Sequence, residues 1–283
     1  MRRIILGISM VFMVIQGGEA NSGILWSKTF GGAKKDVANA VRQTSDGGHI
    51  VAGYTESFGN GGADAWVIRV DKDGKKLWDK TFGGEKGDTA NSIQQTSDGG
   101  YIVAGYTESF GNGGADAWVI RVDKDGKKLW EKTFGQNQDD VFSSITQRLT
   151  GGFIAVGYTI PFGKGDLDLY VLSLDKDGKK LWGKTFGGNK TDNALSIYQT
   201  VKGDSLIAGF TESYGEGGLD AWVIKIDKDG NKVWDKIFGG KAWDVARSIR
   251  ETSDGGVIVC GFTESSGAGL EDAWVVKLDA KSE

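Results

Sequence analysis

Tyr101–Phe134 reads YIVAGYTESFGNGGADAWVIRVDKDGKKLWEKTF, and versions of this stretch recur along the chain. The pairs Leu25-Trp26, Leu77-Trp78, Leu129-Trp130, Leu181-Trp182 and Val233-Trp234 close each copy, at a constant step of 52 residues. A fixed period sets the architecture before any local preference does. Within one period the apolar runs are short and bounded by Asp and Gly. In the second copy they are Ala90–Thr96, Tyr101–Thr107, Ala117–Asp123 and Lys128–Phe134. Ser97-Asp98-Gly99-Gly100 and Asp123-Lys124-Asp125-Gly126 separate two pairs of runs, and Asp-Gly supplies the backbone geometry of a tight hairpin. The second run is apolar on both faces, so it should be covered on both. No segment sustains a 3.6-residue period, which predicts an all-β chain.

Four short antiparallel strands per repeat of this length predict a propeller blade. The runs predict five blades over 25–283. The first run, Leu25–Phe30, is of the fourth-strand type, and the last, Ala273–Asp279, is of the third. A ring closed by the N-terminal strand completing the last blade is therefore expected, which would leave no free edge. An open solenoid of five units is the alternative.

Composition limits function. The 283 residues include 46 Gly and one Pro, and the 10 Trp and 13 Phe supply apolar area that a disordered chain lacks. The net charge of −4 gives no electrostatic case for nucleic acid. One Cys and one His exclude a disulfide within the chain and a multi-histidine site. Residues 1–20 differ from the rest. Arg2-Arg3, the apolar run Ile4–Ile15 and small residues before Ala20 read as a signal peptide cut after Ala20, implying a secreted or periplasmic protein without a membrane span in the mature chain.

The segments KTFGG, SIQQTSDGGYIVAGYTESFG, DAWVIRVDKDG and KLW resemble β-propeller repeats of secreted bacterial and archaeal proteins. The spacing D-x-x-G-x-x-x-W is also similar to quinoprotein-like propeller repeats. The resemblance covers 25–283 and implies a fold rather than a reaction. Quinoprotein dehydrogenases carry a vicinal cysteine pair that is absent here, so no cofactor is carried over.

Residues shared by every copy serve what every blade needs. The two Trp series, one in the third strand (Trp66, Trp118, Trp222, Trp274, with Tyr170 standing in) and one in the fourth, are read as packing between blades. Cys260 aligns with Ala52, Ala104, Val156 and Ala208 and is expected to be buried. His49 aligns with Tyr, Phe, Ser and Val, which argues against a catalytic base. The Asp-Lys-Asp-Gly turns lack the remaining ligands of a calcium loop.

Candidate ligand-binding residues gather at one rim. Asp36, Asp88, Asp140, Asp192 and Asp244 stand before each first strand, where they would either cap local amides or face a ligand at the channel mouth. Departures from the repeat are the other guide: Trp243, Gln136–Asp140, Ile160-Pro161 and Lys164–Asp166. An exposed Trp suits a sugar ring or a protein partner. No catalytic residue, metal ligand or cofactor is assigned. The sequence reading is a monomeric, non-enzymatic module that binds a glycan or protein through the loop rim. The alternatives are a glycoside hydrolase using carboxylates at the channel mouth and a purely structural surface module.

Overall fold

The computed structural model describes residues 23–160 and 166–279. The predicted signal peptide, Pro161 and Lys164 fall outside the described residues. Among the described residues the fold is all-β, with 19 strands in five antiparallel sheets. The first sheet holds β1 (Asp36–Gln43), β2 (His49–Thr55), β3 (Asp64–Val70) and β4 (Lys76–Phe82) in chain order. The second holds β5 (Asp88–Gln95), β6 (Tyr101–Thr107), β7 (Asp116–Val122) and β8 (Lys128–Phe134). The third holds β9 (Asp140–Gln147), β10 (Phe153–Thr159), β11 (Asp168–Leu174) and β12 (Lys180–Phe186). The fourth holds β13 (Asp192–Gln199), β14 (Ser205–Thr211), β15 (Asp220–Ile226) and β16 (Lys232–Phe238). The fifth has three strands, β17 (Asp244–Glu251), β18 (Val257–Thr263) and β19 (Asp272–Leu278).

The repeated residues explain the repeated hairpins. In the β5–β6 turn the Thr96 hydroxyl donates to Asp98 Oδ1 (2.6 Å), and the Gly100 amide donates to the same oxygen (3.2 Å). In the β7–β8 turn Asp123 Oδ1 accepts the amides of Asp125 and Lys127, both at 2.9 Å. Each aspartate thus occupies its oxygen with turn amides, the local bonding that Asp favours. Each first strand carries a β-bulge, between Ala90 and Ser92 in β5. Opposite the bulge lies Gly105, where a Cβ would sit 1.9 Å from the Thr89 carbonyl oxygen. This close approach explains the glycine in every Ala/Val/Cys-Gly-Tyr/Phe-Thr run.

Sheet-to-sheet packing uses both Trp series. Trp66, Trp118 and Trp222 are buried. Trp78 donates its Nε1 hydrogen to the Lys124 carbonyl of the next sheet (3.3 Å) and meets Tyr101 edge-on at 5.8 Å. Arg69, buried in β3, donates through Nε to the Tyr101 hydroxyl of the second sheet (3.0 Å) and pairs through Nη2 with Asp46 (2.5 Å to Oδ2). The first strands are tied sideways as well. Gln95, Gln147 and Gln199 accept the Ser45, Ser97 and Leu149 amides at 2.8, 2.9 and 2.7 Å.

The fifth junction differs from the other four. Residues 25–30 form no strand, and the fifth sheet keeps three strands, so the expected completion of the last blade is not present. Val275 is 65% exposed, whereas its counterparts Val67, Val119, Val171 and Val223 are fully buried. On the facing side of the first sheet, Val41 is 54% exposed while Ile93 and Ile249 are fully buried. Cys260 is exposed, contrary to expectation. Its neighbours in register are covered by a following sheet, and the fifth sheet has no such cover. Residues 25–30 nevertheless sit against the first sheet as a fourth strand does against its successor. Trp26 donates Nε1 to the Lys72 carbonyl (3.0 Å) and meets His49 at 5.9 Å, while Phe30 packs on Trp66, Ile68 and Val70.

Candidate functional site

The candidate residues lie at the end of the sheets where first strands begin and second strands finish. The five aspartates open their strands rather than precede them, each paired in register with the threonine that ends the second strand, as Asp88 with Thr107. Asp88, Asp192 and Asp244 have no solvent exposure, and Asp140 has 3%. Asp88 Oδ2 accepts the Gly84 amide (2.9 Å) and the Ser109 hydroxyl (2.6 Å), and Asp192 and Asp244 repeat both bonds. Asp36 receives the Gly32 amide (2.8 Å) and the hydroxyls of Thr55 and Ser57. Those bonds, led by Thr55, hold its carboxyl below the usual range. The second oxygens of Asp88, Asp192 and Asp244 are buried without a hydrogen-bond partner. Among the described residues no three Asp, Glu, His or Cys side chains gather as a metal site.

At four junctions a third-strand aspartate stands beside the first-strand aspartate of the next sheet. A Cβ placed on Gly83 would lie 2.4 Å from Asp64 Oδ1 and 2.5 Å from Asp88 Oδ2, so one glycine separates two carboxyl groups of adjacent sheets. Asp64, Asp116, Asp168 and Asp220 are pushed up from the carboxylate range, first by burial and also by the charge of the next sheet's aspartate. A carboxyl whose folded-state value is raised favours the protonated folded chain, so its strain is greatest at neutral pH and is relieved on acidification. Asp116→Asn removes the charge but keeps an acceptor for the Asn112 amide (2.9 Å). The variant is expected to melt higher than wild type at pH 7, with the difference closing by about pH 4; thermal melts across that range check it.

Trp243 sits in the loop before β17 and is 53% exposed. It lines a cavity of about 520 Å³ with Leu195, Phe210, Leu219 and Phe262. Arg247 and Glu271 add one charge of each sign, and the Arg247 guanidinium lies over the Phe262 ring at 5.1 Å. The cavity exists because this junction departs from the others. Asn39 and Asn91 donate to carbonyls of the following sheets at 3.0 Å, whereas Leu195 and Arg247 occupy the same register here. Ala63 and Ala115 are likewise replaced by Leu219 and Glu271. Phe210 and Phe262 escaped the sequence reading because tyrosines fill the same register in the first three sheets.

The third sheet's departures also meet. Gln136, Asp140 and Ile160 line a cavity of about 450 Å³ with Tyr170 and Lys180. Tyr170 replaces the tryptophan of the other sheets, and Gly183 replaces the acidic residue to which Trp66 and Trp222 donate at 3.1 and 3.0 Å. Burial pushes the Tyr170 phenol up to about 12. At physiological pH it is therefore a neutral donor.

Residues 14–212 match the model of a family described as outer membrane protein assembly factor BamB. A curated relative, the regulatory protein FlaEY of Caulobacter vibrioides, is 25% identical, with 74% of this chain and 25% of that protein covered. The chain thus spans about a quarter of that relative's length. Among solved structures it is similar to a protein of unknown function from Bacteroides caccae, with a TM-score of 0.53, 15% identity, and 86% of this chain and 78% of that one covered. It is also similar to the WD40 domain of Neurospora crassa Pan2, with a TM-score of 0.47, 14% identity, and 78% and 72% covered.

Proposed function

The chain belongs to the family described as outer membrane protein assembly factor BamB, and from that membership and the Trp243 cavity we propose an exported, non-enzymatic β-propeller that holds a partner at the channel mouth. The observation that carries this reading is the cavity's composition. Three aromatic rings, two leucines and a valine line an open cavity of about 520 Å³ beside one arginine and one glutamate. Aromatic faces with a few polar groups suit a sugar ring or the aromatic side chain of a protein segment. Reaction chemistry is less well supported. Three of the rim aspartates, Asp88, Asp192 and Asp244, are buried and bound in near-identical sets of hydrogen bonds, whereas acid–base catalysis needs carboxyls in contrasting environments. In this reading they brace the loops beneath the binding surface.

Two further points belong to the proposal. Export rests on the N-terminal sequence pattern and on the family's outer-membrane description. Among the described residues no helix is long and apolar enough to cross a membrane. Ring closure rests on Trp26 and Phe30, which already stand on the first sheet where a fourth strand belongs. Pairing of 25–30 with β19 completes the fifth blade and covers Val275 and Cys260.

A glycan array probed with purified residues 21–283, with and without calcium, tests the binding reading. Binding to a defined sugar is expected, with about ten-fold loss in Trp243→Ala, the effect of removing one stacking aromatic contact of about 1.4 kcal/mol. Sugar binding that ignores Trp243→Ala would place the site elsewhere. An empty array would shift the proposal to a protein partner.

A further inference from the structure

We propose that the opposite end of the channel holds a second, anion-binding site, in which Arg42 and Arg250 grip a small ligand through a carboxylate or phosphate group. The site lies where first strands end, shares no lining residue with the Trp243 cavity, and does not depend on it.

The residues at this end form a cavity of about 330 Å³ to which all five first strands contribute. Arg42, Gln94, Thr146, Tyr198 and Arg250 occupy one register, stepping round the axis one sheet at a time. This register varies from sheet to sheet, whereas the residue that follows it is Gln43, Gln95, Gln147, Gln199 and Glu251. The first two repeats are nearly identical elsewhere, yet this position is Arg in one and Gln in the other. A scaffold position that every blade needs does not vary in this way.

The two guanidinium groups are bound alike and left open alike. Arg42 donates Nη1 to the Val41 carbonyl (2.8 Å), and Arg250 donates Nη1 to the Ile249 carbonyl (2.5 Å). Arg250 also lies over the Tyr198 ring at 5.7 Å, a contact that fixes the plane of its fork. The cations at one register of the third strands have acidic partners: Arg69 with Asp46, Arg121 with Asp98, Lys225 with Asp204 and Lys277 with Asp254. Among the described residues no ion pair involves Arg42 or Arg250. The adjacent acid, Glu251, accepts the Val201 amide through Oε2 (3.1 Å).

The arginines are close enough to disfavour each other's charge. Burial, and then the charge of Arg250, pulls Arg42 down from the usual arginine value. Two like charges facing one polar cavity without a counter-ion are a cost that an oxyanion removes. Arginine forks match the paired oxygens of carboxylate and phosphate. The remaining wall is suited to the rest of such a ligand. Gln94 uses its Oε1 to accept the Gln147 amide (2.7 Å), so the group it has left is a donor. The Thr146 hydroxyl adds a second.

The test titrates the purified protein with sodium phosphate and, separately, sodium citrate, at ionic strength held constant with sodium chloride. Calorimetry and thermal melts are the readouts. Arg42→Gln and Arg250→Gln are mild substitutions, since Gln94 already fills this register in the second sheet. Saturable binding of either anion is expected, with a higher melting temperature. Affinity falls about ten-fold in each single variant, as for loss of one charge-assisted contact, and binding vanishes in the double variant. Response to phosphate alone assigns a phosphoryl ligand, and response to citrate alone a carboxylate. The proposal is overturned if neither anion gives a saturable response, or if the double variant responds as the wild type does.

Discussion

Trp118→Ala is expected to lower the unfolding free energy by about 3–5 kcal/mol, the cost of deleting a fully packed aromatic side chain. Trp118 is 1% exposed and belongs to the core shared by the first and second sheets, with Ile50, Val67, Ile93 and Val103 around it. Its Nε1 is buried without a hydrogen-bond partner, whereas Trp66 and Trp222 donate to Asp79 and Asp235. The loss in the variant is therefore one of packing rather than of a hydrogen bond. Urea denaturation of wild type and variant measures it. A change below about 1 kcal/mol, the range of an ordinary surface substitution, would mean that the third-strand tryptophans do not hold the sheets together.

Deleting Leu25–Phe30 is the second large effect, a drop in melting temperature on the order of 10 °C from the loss of the Trp26 and Phe30 contacts and of the closing strand. Part of this comes from contacts already present. Trp26 caps the Lys72 carbonyl, and Phe30 covers the Trp66–Val70 face. The rest follows from closure, because without this segment the β19 edge has no partner within the chain. An exposed edge strand invites pairing between molecules, so the deleted form should also self-associate on heating. An unchanged melt would show that the segment contributes neither packing nor closure.

The period made the sheets legible. Tyr101–Thr107 and Lys128–Phe134 coincide with β6 and β8, because alternation and hairpin residues act within one repeat. The first and third strands start earlier than expected, at Asp88 and Asp116. Aspartate reads as a turn residue, yet here its backbone pairs with a threonine across the sheet while its side chain serves the loop. Cys260 shows a different limit. Its register predicts burial, but burial depends on the sheet that follows, and the fifth sheet has none.

The candidate sites were partly legible for a related reason. Trp243 stood out as a departure from repetition. Phe210 and Phe262 did not, because an aromatic residue fills their register in every sheet and only its neighbours change. Arg42 and Arg250 carry no motif that marks them in the sequence. Their significance comes from a separation of more than two hundred residues that the sheet arrangement reduces to one cavity.

Closure of the sheets into one ring by the chain's own N-terminal segment is the central claim, and a cysteine pair tests it most directly. The β3–β4 register places Ile68 opposite Asp79, which by the repeat puts Val276 opposite Ser27. In a Cys260→Ala background, Ser27→Cys with Val276→Cys should form an intramolecular disulfide on mild oxidation, since paired strand positions have the required Cα separation. Ser27→Cys with Val275→Cys should stay reduced, because adjacent strand residues point to opposite faces. That pattern, read by mass spectrometry of the monomer, is the predicted result. No cross-link in the first pair, or a cross-link only between molecules, would contradict the closed ring.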